Sequence, residues 1–100
     1  PNIKIKYPWK LKIGNSTWIG EGVWIDNIAE VNIGNNTCIS QGVYICSGSH
    51  NFKSKNFELK LQPVSIGDNC WITAKCVIGP NVTIPDGSFI KIGKIITSKF

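Results

Sequence analysis

Isoleucine punctuates this chain at positions 13, 19 and 25, again at 33, 39 and 45, and again at 66, 72, 78, 84 and 90, so that within each run the spacing is six residues. An amphipathic helix wants apolar residues three and four apart, and a half-buried strand wants them two apart. Neither period accounts for six. Each Ile tends to be followed by corner-forming residues, as in Ile13-Gly14-Asn15, Ile33-Gly34-Asn35-Asn36, Ile66-Gly67-Asp68-Asn69 and Ile78-Gly79-Pro80-Asn81. Gly, Asn and Asp tolerate the positive φ that a sharp turn demands, while the Ile is free to point inward onto the Ile of the coils above and below. The pattern predicts an all-β fold, a parallel β-helix in which three hexads close one triangular coil. About four to five coils would stack at the ~4.8 Å spacing of a β-ladder. No helix is assigned.

A longer repeat locates the insertions. Leu11-Lys12-Ile13-Gly14, Val31-Asn32-Ile33-Gly34 and Val64-Ser65-Ile66-Gly67 all begin a coil in the same way. From Ile13 to Ile33 the offset is 20, two more than three hexads, which predicts a small bulge near Ala29 to Asn32. From Ile33 to Ile66 it is 33, and the surplus predicts a loop extruded at about residues 51–61, where the hexads stop. Ahead of Ile13, the alternation of Ile3, Ile5, Tyr7, Trp9 and Leu11 with Lys and Pro suits an incomplete coil or an edge strand. After Ile90 the rhythm blurs, and Ile92, Ile95 and Ile96 are expected to finish the last coil.

Composition narrows the function. One hundred residues make one domain, residues 1–100, which buries too small a share of its surface to be comfortably stable alone and points to partner subunits. The chain opens at Pro1, contains no Met and stops soon after a run of repeats, which reads as a piece of a longer protein. The net charge of +5 rests on eleven Lys with no Arg. Phosphate-fork and sequence-specific recognition lean on Arg, so no nucleic acid is expected as a partner. Scattered Lys suits an anionic ligand, or simply keeps an Ile-rich surface soluble. Cys38, Cys46, Cys70 and Cys76 show no CxxC spacing and His50 is the sole His, so no metal site is expected and the cysteines read as small apolar fillers. No apolar run is long enough to span a membrane and no secretion signal opens the chain, so reduced thiols and a cytoplasmic location are the expectation.

The hexads combine with Ser47-Gly48-Ser49-His50-Asn51, an extruded loop, and Trp71-Ile72 followed by Ile78-Gly79-Pro80-Asn81-Val82-Thr83-Ile84. In that order they resemble the hexapeptide-repeat acetyltransferases. Tyr7-Pro8-Trp9-Lys10-Leu11 and Trp18-Ile19-Gly20-Glu21-Gly22-Val23-Trp24-Ile25-Asp26-Asn27 look most like the colanic-acid-type sugar O-acetyltransferases within that superfamily. The resemblance covers nearly the whole chain. It implies a left-handed winding, where the usual rule for parallel crossovers would be right-handed, a homotrimer with active sites between subunits, and acetyl-CoA as co-substrate.

The resemblance also implies roles for residues. Acetyl transfer to a hydroxyl needs a base, and His50, next to the extruded loop, has the pKa class for it. The alternative is a surface His in a polar turn. Trp71 and Ala74 would lie along the pantetheine arm, with Ile92, Thr97 and Lys99 toward the adenosine phosphates. Lys91-Ile92-Gly93-Lys94 and Thr97-Ser98-Lys99 stand where the family often has Gly-Ala-Gly-Ser and Thr-Lys, which favours reading Lys94 and Lys99 as ordinary solvated charges over phosphate partners. Glu21 and Asp26 are the acidic candidates for orienting His50 or holding an acceptor hydroxyl, with an ordinary solvated face as the alternative, and Asn51 beside the base is a further acceptor candidate. Gly20 stands where maltose- and galactoside-type enzymes have an acceptor Asn. Phe52 and Phe57 would cover the cleft or tuck the loop onto a coil. A zinc-dependent carbonic anhydrase of this fold needs three His, and one is present. A non-catalytic β-helix scaffold is the other alternative.

Overall fold

The computed structural model describes residues 3–50 and 59–97, with Ser49, His50 and Leu59 described by their backbone alone. The chain opens with β1 (Lys4–Ile5), a 3₁₀ turn (Pro8–Lys10) and β2 (Leu11–Ile13), β3 (Trp18–Ile19) and β4 (Trp24–Asp26). It continues through β5 (Val31–Ile33), β6 (Cys38–Ile39), β7 (Tyr44–Cys46), β8 (Gly48–His50) and β9 (Leu59–Leu61). The last coils hold β10 (Val64–Ile66), β11 (Trp71–Ile72), β12 (Val77–Ile78), β13 (Thr83–Ile84), β14 (Phe89–Ile90) and β15 (Ile95–Ile96).

Three parallel walls result. Wall A is β1-β4-β7-β12-β15, wall B is β2-β5-β10-β13 and wall C is β3-β6-β11-β14. Each wall stacks one Ile column in strict register. Ile5, Ile25, Ile45, Ile78 and Ile96 pair in wall A. Ile13, Ile33, Ile66 and Ile84 pair in wall B, and Ile19, Ile39, Ile72 and Ile90 in wall C. Most of these side chains are fully buried, each stabilising by about 1.5–3 kcal/mol relative to exposure. Only at the open first coil does a column surface, with Ile13 41% exposed.

The corner between walls B and C shows why Gly follows Ile there. The N–H groups of Asn15, Asn35 and Asp68 donate to side-chain oxygens of Asn35, Asp68 and Asp86, each at 2.7 Å. This ladder runs up the corner through the space that a Cβ on Gly14, Gly34 or Gly67 would occupy. Ser16, Asn36 and Asn69, one step further on, carry the positive φ of the turn. Glycine is required for close approach, while Ser or Asn takes the left-handed conformation.

Several details depart from the pattern. The enlarged corner is Asn27 to Glu30, not Ala29 to Asn32, because Asn32 stays in register between Lys12 and Ser65. Buried Asn27 fills that corner and bridges the backbone N–H and C=O of Tyr7. The segment before Ile13 is an incomplete coil with a 3₁₀ turn at its corner. The extrusion has β-structure at its base, since β8 pairs antiparallel with β9. Cys70 and Cys76 are buried fillers, but Cys38 and Cys46 stand beside inward Ile residues and face outward. Period-two alternation within a strand forces that. Ile96 completes a column, whereas Ile92 and Ile95 are exposed.

The outer faces of the walls differ in chemistry. Wall A presents Trp24, Tyr44, Val77 and Ile95 in one row, and wall C presents Trp18, Cys38, Trp71 and Phe89. Wall B presents Lys12, Asn32, Ser65 and Thr83. Two walls are aromatic and one is polar.

Candidate active site

A groove of about 500 Å³ runs along wall C to its corner with wall A, and Trp71, Ala74 and Ile92 line it together with Ser40, Thr73 and Phe89. Trp71 is outward because its neighbour Ile72 is inward. Its indole N–H donates to Ser40 Oγ at 2.9 Å, and its ring meets Phe89 edge-on at 5.4 Å. Thr73 Oγ1 donates to the Ile90 carbonyl at 2.6 Å, which ties the groove floor to the next coil. The groove is therefore pre-shaped and mostly apolar, with a few polar atoms at fixed positions, the usual character of a small-molecule site.

His50 lies elsewhere. It ends β8, opposite Leu59, where the chain leaves the corner between walls A and B. Ser47 anchors that departure, donating to the Ala29 carbonyl at 2.7 Å and accepting from the Ala29 N–H at 3.0 Å. Thr97 follows β15 at the same corner, packed over Gly79. Wall A thus separates two groups, with Trp71, Ala74 and Ile92 at one edge and His50 and Thr97 at the other. Asn51, Phe52, Phe57 and Lys99 lie outside the described residues.

The two acidic candidates are also separated. Glu21 is exposed at the corner between walls C and A, where its carbonyl accepts the Gly42 N–H at 3.0 Å. Asp26 ends β4 at the far side of wall A. There Tyr44 donates its hydroxyl to Asp26 Oδ2 at 3.2 Å, and Lys6 Nζ lies 4.0 Å from Oδ1. Oδ1 itself is buried with no hydrogen-bond partner among the described residues. Burial pushes the Tyr44 hydroxyl well above its ordinary pKa, reinforced by Cys46 and Asp26, so it remains a proton donor to the carboxylate. Lys4 stands 5.5 Å from the Trp24 ring on the same face.

Ser40, Phe89 and Tyr44 were not among the residues the sequence singled out. The 18-residue offset between Trp71 and Phe89 was the available signal for one of them. Among the described residues no group of three His, Cys, Asp or Glu is placed to hold a metal ion. No helix among them is long and apolar enough to cross a membrane.

No protein-family model matches the chain. Over 90 residues, 90% of this chain and 50% of the relative, it is 40% identical to a protein of Escherichia coli strain K12 named as a colanic acid biosynthesis acetyltransferase, WcaF. The homologues of this chain are hexapeptide-repeat acetyltransferases. A solved galactoside acetyltransferase in complex with coenzyme A matches 97% of this hexapeptide-repeat chain and 52% of its own, with a TM-score of 0.87 and 32% identity. A Vibrio cholerae hexapeptide-repeat acetyltransferase complexed with acetyl coenzyme A matches 97% of this chain and 55% of its own, at a TM-score of 0.90 and 23% identity. The left-handed β-helix fold is shared with these neighbours. The chain spans about half the length of the curated relatives it matches over most of its own.

Proposed function

We propose that this chain is the catalytic β-helix of an acetyl-CoA-dependent O-acetyltransferase acting on a sugar or polysaccharide-precursor hydroxyl. His50 is the general base, and the active sites form between the copies of a homotrimer. The observation that carries this reading is the sorting of the candidate residues onto two edges of wall A. A chain with the groove at one edge and the base at the other is completed by a second copy that sets one edge against the other. Such heterologous contacts close into a ring, and the aromatic rows of walls A and C supply the apolar area they would bury.

In the proposed reaction the acceptor oxygen attacks the thioester carbonyl carbon while His50 takes the hydroxyl proton. The tetrahedral intermediate then expels the CoA thiolate, which recovers the proton from the imidazolium, leaving an acetyl ester and free CoA. The coenzyme A bound by the 32% identical galactoside acetyltransferase supports the donor. The names of the relatives, colanic acid biosynthesis and galactoside acetyltransferases, support a sugar-type acceptor. Thr97 and Lys99 are proposed to contact the donor, and Glu21, Asp26 and Asn51 the acceptor. The four free cysteines fit a reducing cytoplasm.

Calorimetric titration of acetyl-CoA into the wild type and His50→Ala, alongside turnover with a panel of glycosides and nucleotide sugars, tests the reading. Both proteins are expected to bind the donor with saturable heat, and the variant to lose about 10²–10⁴-fold in transfer. A bare scaffold would give no saturable heat, and undiminished turnover in the variant would remove His50 as the base.

A further inference from the structure

The corner between walls A and B, where the β8–β9 ribbon leaves the coil, holds a second cavity of about 530 Å³. Lys10 comes to it from the 3₁₀ turn, Ile28 and Glu30 from the enlarged corner, Asn32 from β5, and Leu61 and Pro63 from the returning ribbon. Its polar groups do not satisfy one another. Lys10 Nζ donates to the Ile28 carbonyl at 2.8 Å and sits 5.4 Å from the Tyr7 ring, which fixes the ammonium with one of its three protons used among the described residues. Glu30 is exposed, and among the described residues the one ion pair is Lys6 with Asp26. Asn32 Oδ1 is buried with no hydrogen-bond partner among the described residues. A cation, a carboxylate and a carboxamide therefore share one cavity, in which Lys10 and Glu30 can meet solvent and the buried Asn32 Oδ1 is the group whose missing hydrogen bond is costly.

The turn that carries Lys10 also carries Trp9, 75% exposed and packed on Tyr7 at a ring separation of 5.3 Å. An uncovered aromatic face, an apolar wall and mixed donors and acceptors match an amphipathic polyhydroxylated ring, which has C–H faces to stack and hydroxyls to bond. The balanced charge disfavours an anion, and the polar trio disfavours a lipid. Leu61 lies opposite Gly48 in the ribbon, and His50 is two residues further along that strand, roughly 7 Å at ordinary strand rise. Neighbouring rings of one oligosaccharide span that interval.

We infer that this corner, lined by Lys10, Glu30 and Asn32 and with the exposed Trp9 in the same 3₁₀ turn as Lys10, is a subsite for a neutral saccharide ring adjoining the ring that is acetylated. The acceptor is then longer than one sugar. The inference rests on the sugar-acceptor reading above.

A printed array of bacterial oligo- and polysaccharides, with the corresponding monosaccharides, tests it using the labelled chain and its Trp9→Ala and Glu30→Gln variants. Both side chains are exposed, so the variants fold. The wild type is expected to be retained on glycans of two or more rings, and each variant to bind them about tenfold more weakly, with monosaccharide spots unchanged. Retention equal in wild type and both variants, or no glycan retaining the wild type, overturns the subsite. Acetyl-CoA calorimetry on the same samples separates the two readings. Weakened glycan binding without donor heat sinks acetyl transfer and leaves the subsite standing, whereas donor heat with unweakened variants does the reverse.

Discussion

The indole N–H of Trp71 is held by the hydroxyl of Ser40 at 2.9 Å, a bond between adjacent coils of wall C. It fixes the ring that forms one side of the groove, and Phe89 braces it from the coil above. Ser40→Ala is expected to release the indole and weaken acetyl-CoA binding about fivefold, the worth of one ordinary hydrogen bond. Calorimetry reads the affinity and urea unfolding reads the stability. A loss of stability with unaltered donor affinity would assign Ser40 to packing alone.

Two glycines separate collision from backbone strain. A Cβ on Gly34 would run into Asp68 Oδ1 and come within 2.7 Å of the Gly67 backbone. Gly87 has φ +74 but nothing within 4 Å of its Cβ direction. Gly34→Ala is expected to destabilise by about 3 kcal/mol through overpacking, and Gly87→Ala by about 1 kcal/mol through the left-handed backbone. Denaturant midpoints at matched protein concentration check the ordering, and equal losses would refute it.

Tyr44 provides a pH signature. Its hydroxyl titrates well above the ordinary tyrosine range, chiefly because it is buried. Above the unfolded pKa near 10, the unfolded chain releases this proton while the folded chain keeps it. The folded state then binds more protons, so stability falls as pH rises. The contribution is complete below about pH 10 and drains away upward from there. Tyr44→Phe should flatten the alkaline decline in thermal midpoint, and a variant whose alkaline slope matches the wild type would contradict the assignment.

A site shared between copies permits complementation. Ala74→Trp is expected to fill the groove while His50→Ala removes the base, each silencing a homogeneous preparation. Dissociating, mixing and reassociating the two should restore part of the activity, because some interfaces pair an intact groove with an intact His50. Mixtures as inactive as their components would place the whole site within one chain.

The six-residue Ile spacing specified three inward columns because only a three-sided coil returns every third hexad to the same wall, and the structure stacks those residues in register. The surplus residues between Ile45 and Ile66 likewise had to leave the coil. Less of the site was legible. Trp71, Ala74 and Ile92 share a groove, yet hexad spacing within one coil does not say that Ser40 of the neighbouring coil completes it, because the offset of 31 residues includes the extruded segment.

What the sequence determined by itself was periodicity, hence the walls, the core and the corners, since burial of regularly spaced Ile and the tolerance of Gly, Asn and Ser for tight turns are local properties of the chain. The tertiary structure decided adjacency between coils. Trp71 found Ser40 and Phe89, Asp26 found Tyr44, and Lys10 came to share a cavity with Glu30, Asn32 and Leu61. These are contacts across the stack, and their partners depend on how many residues each corner and the ribbon consume before the chain comes round again.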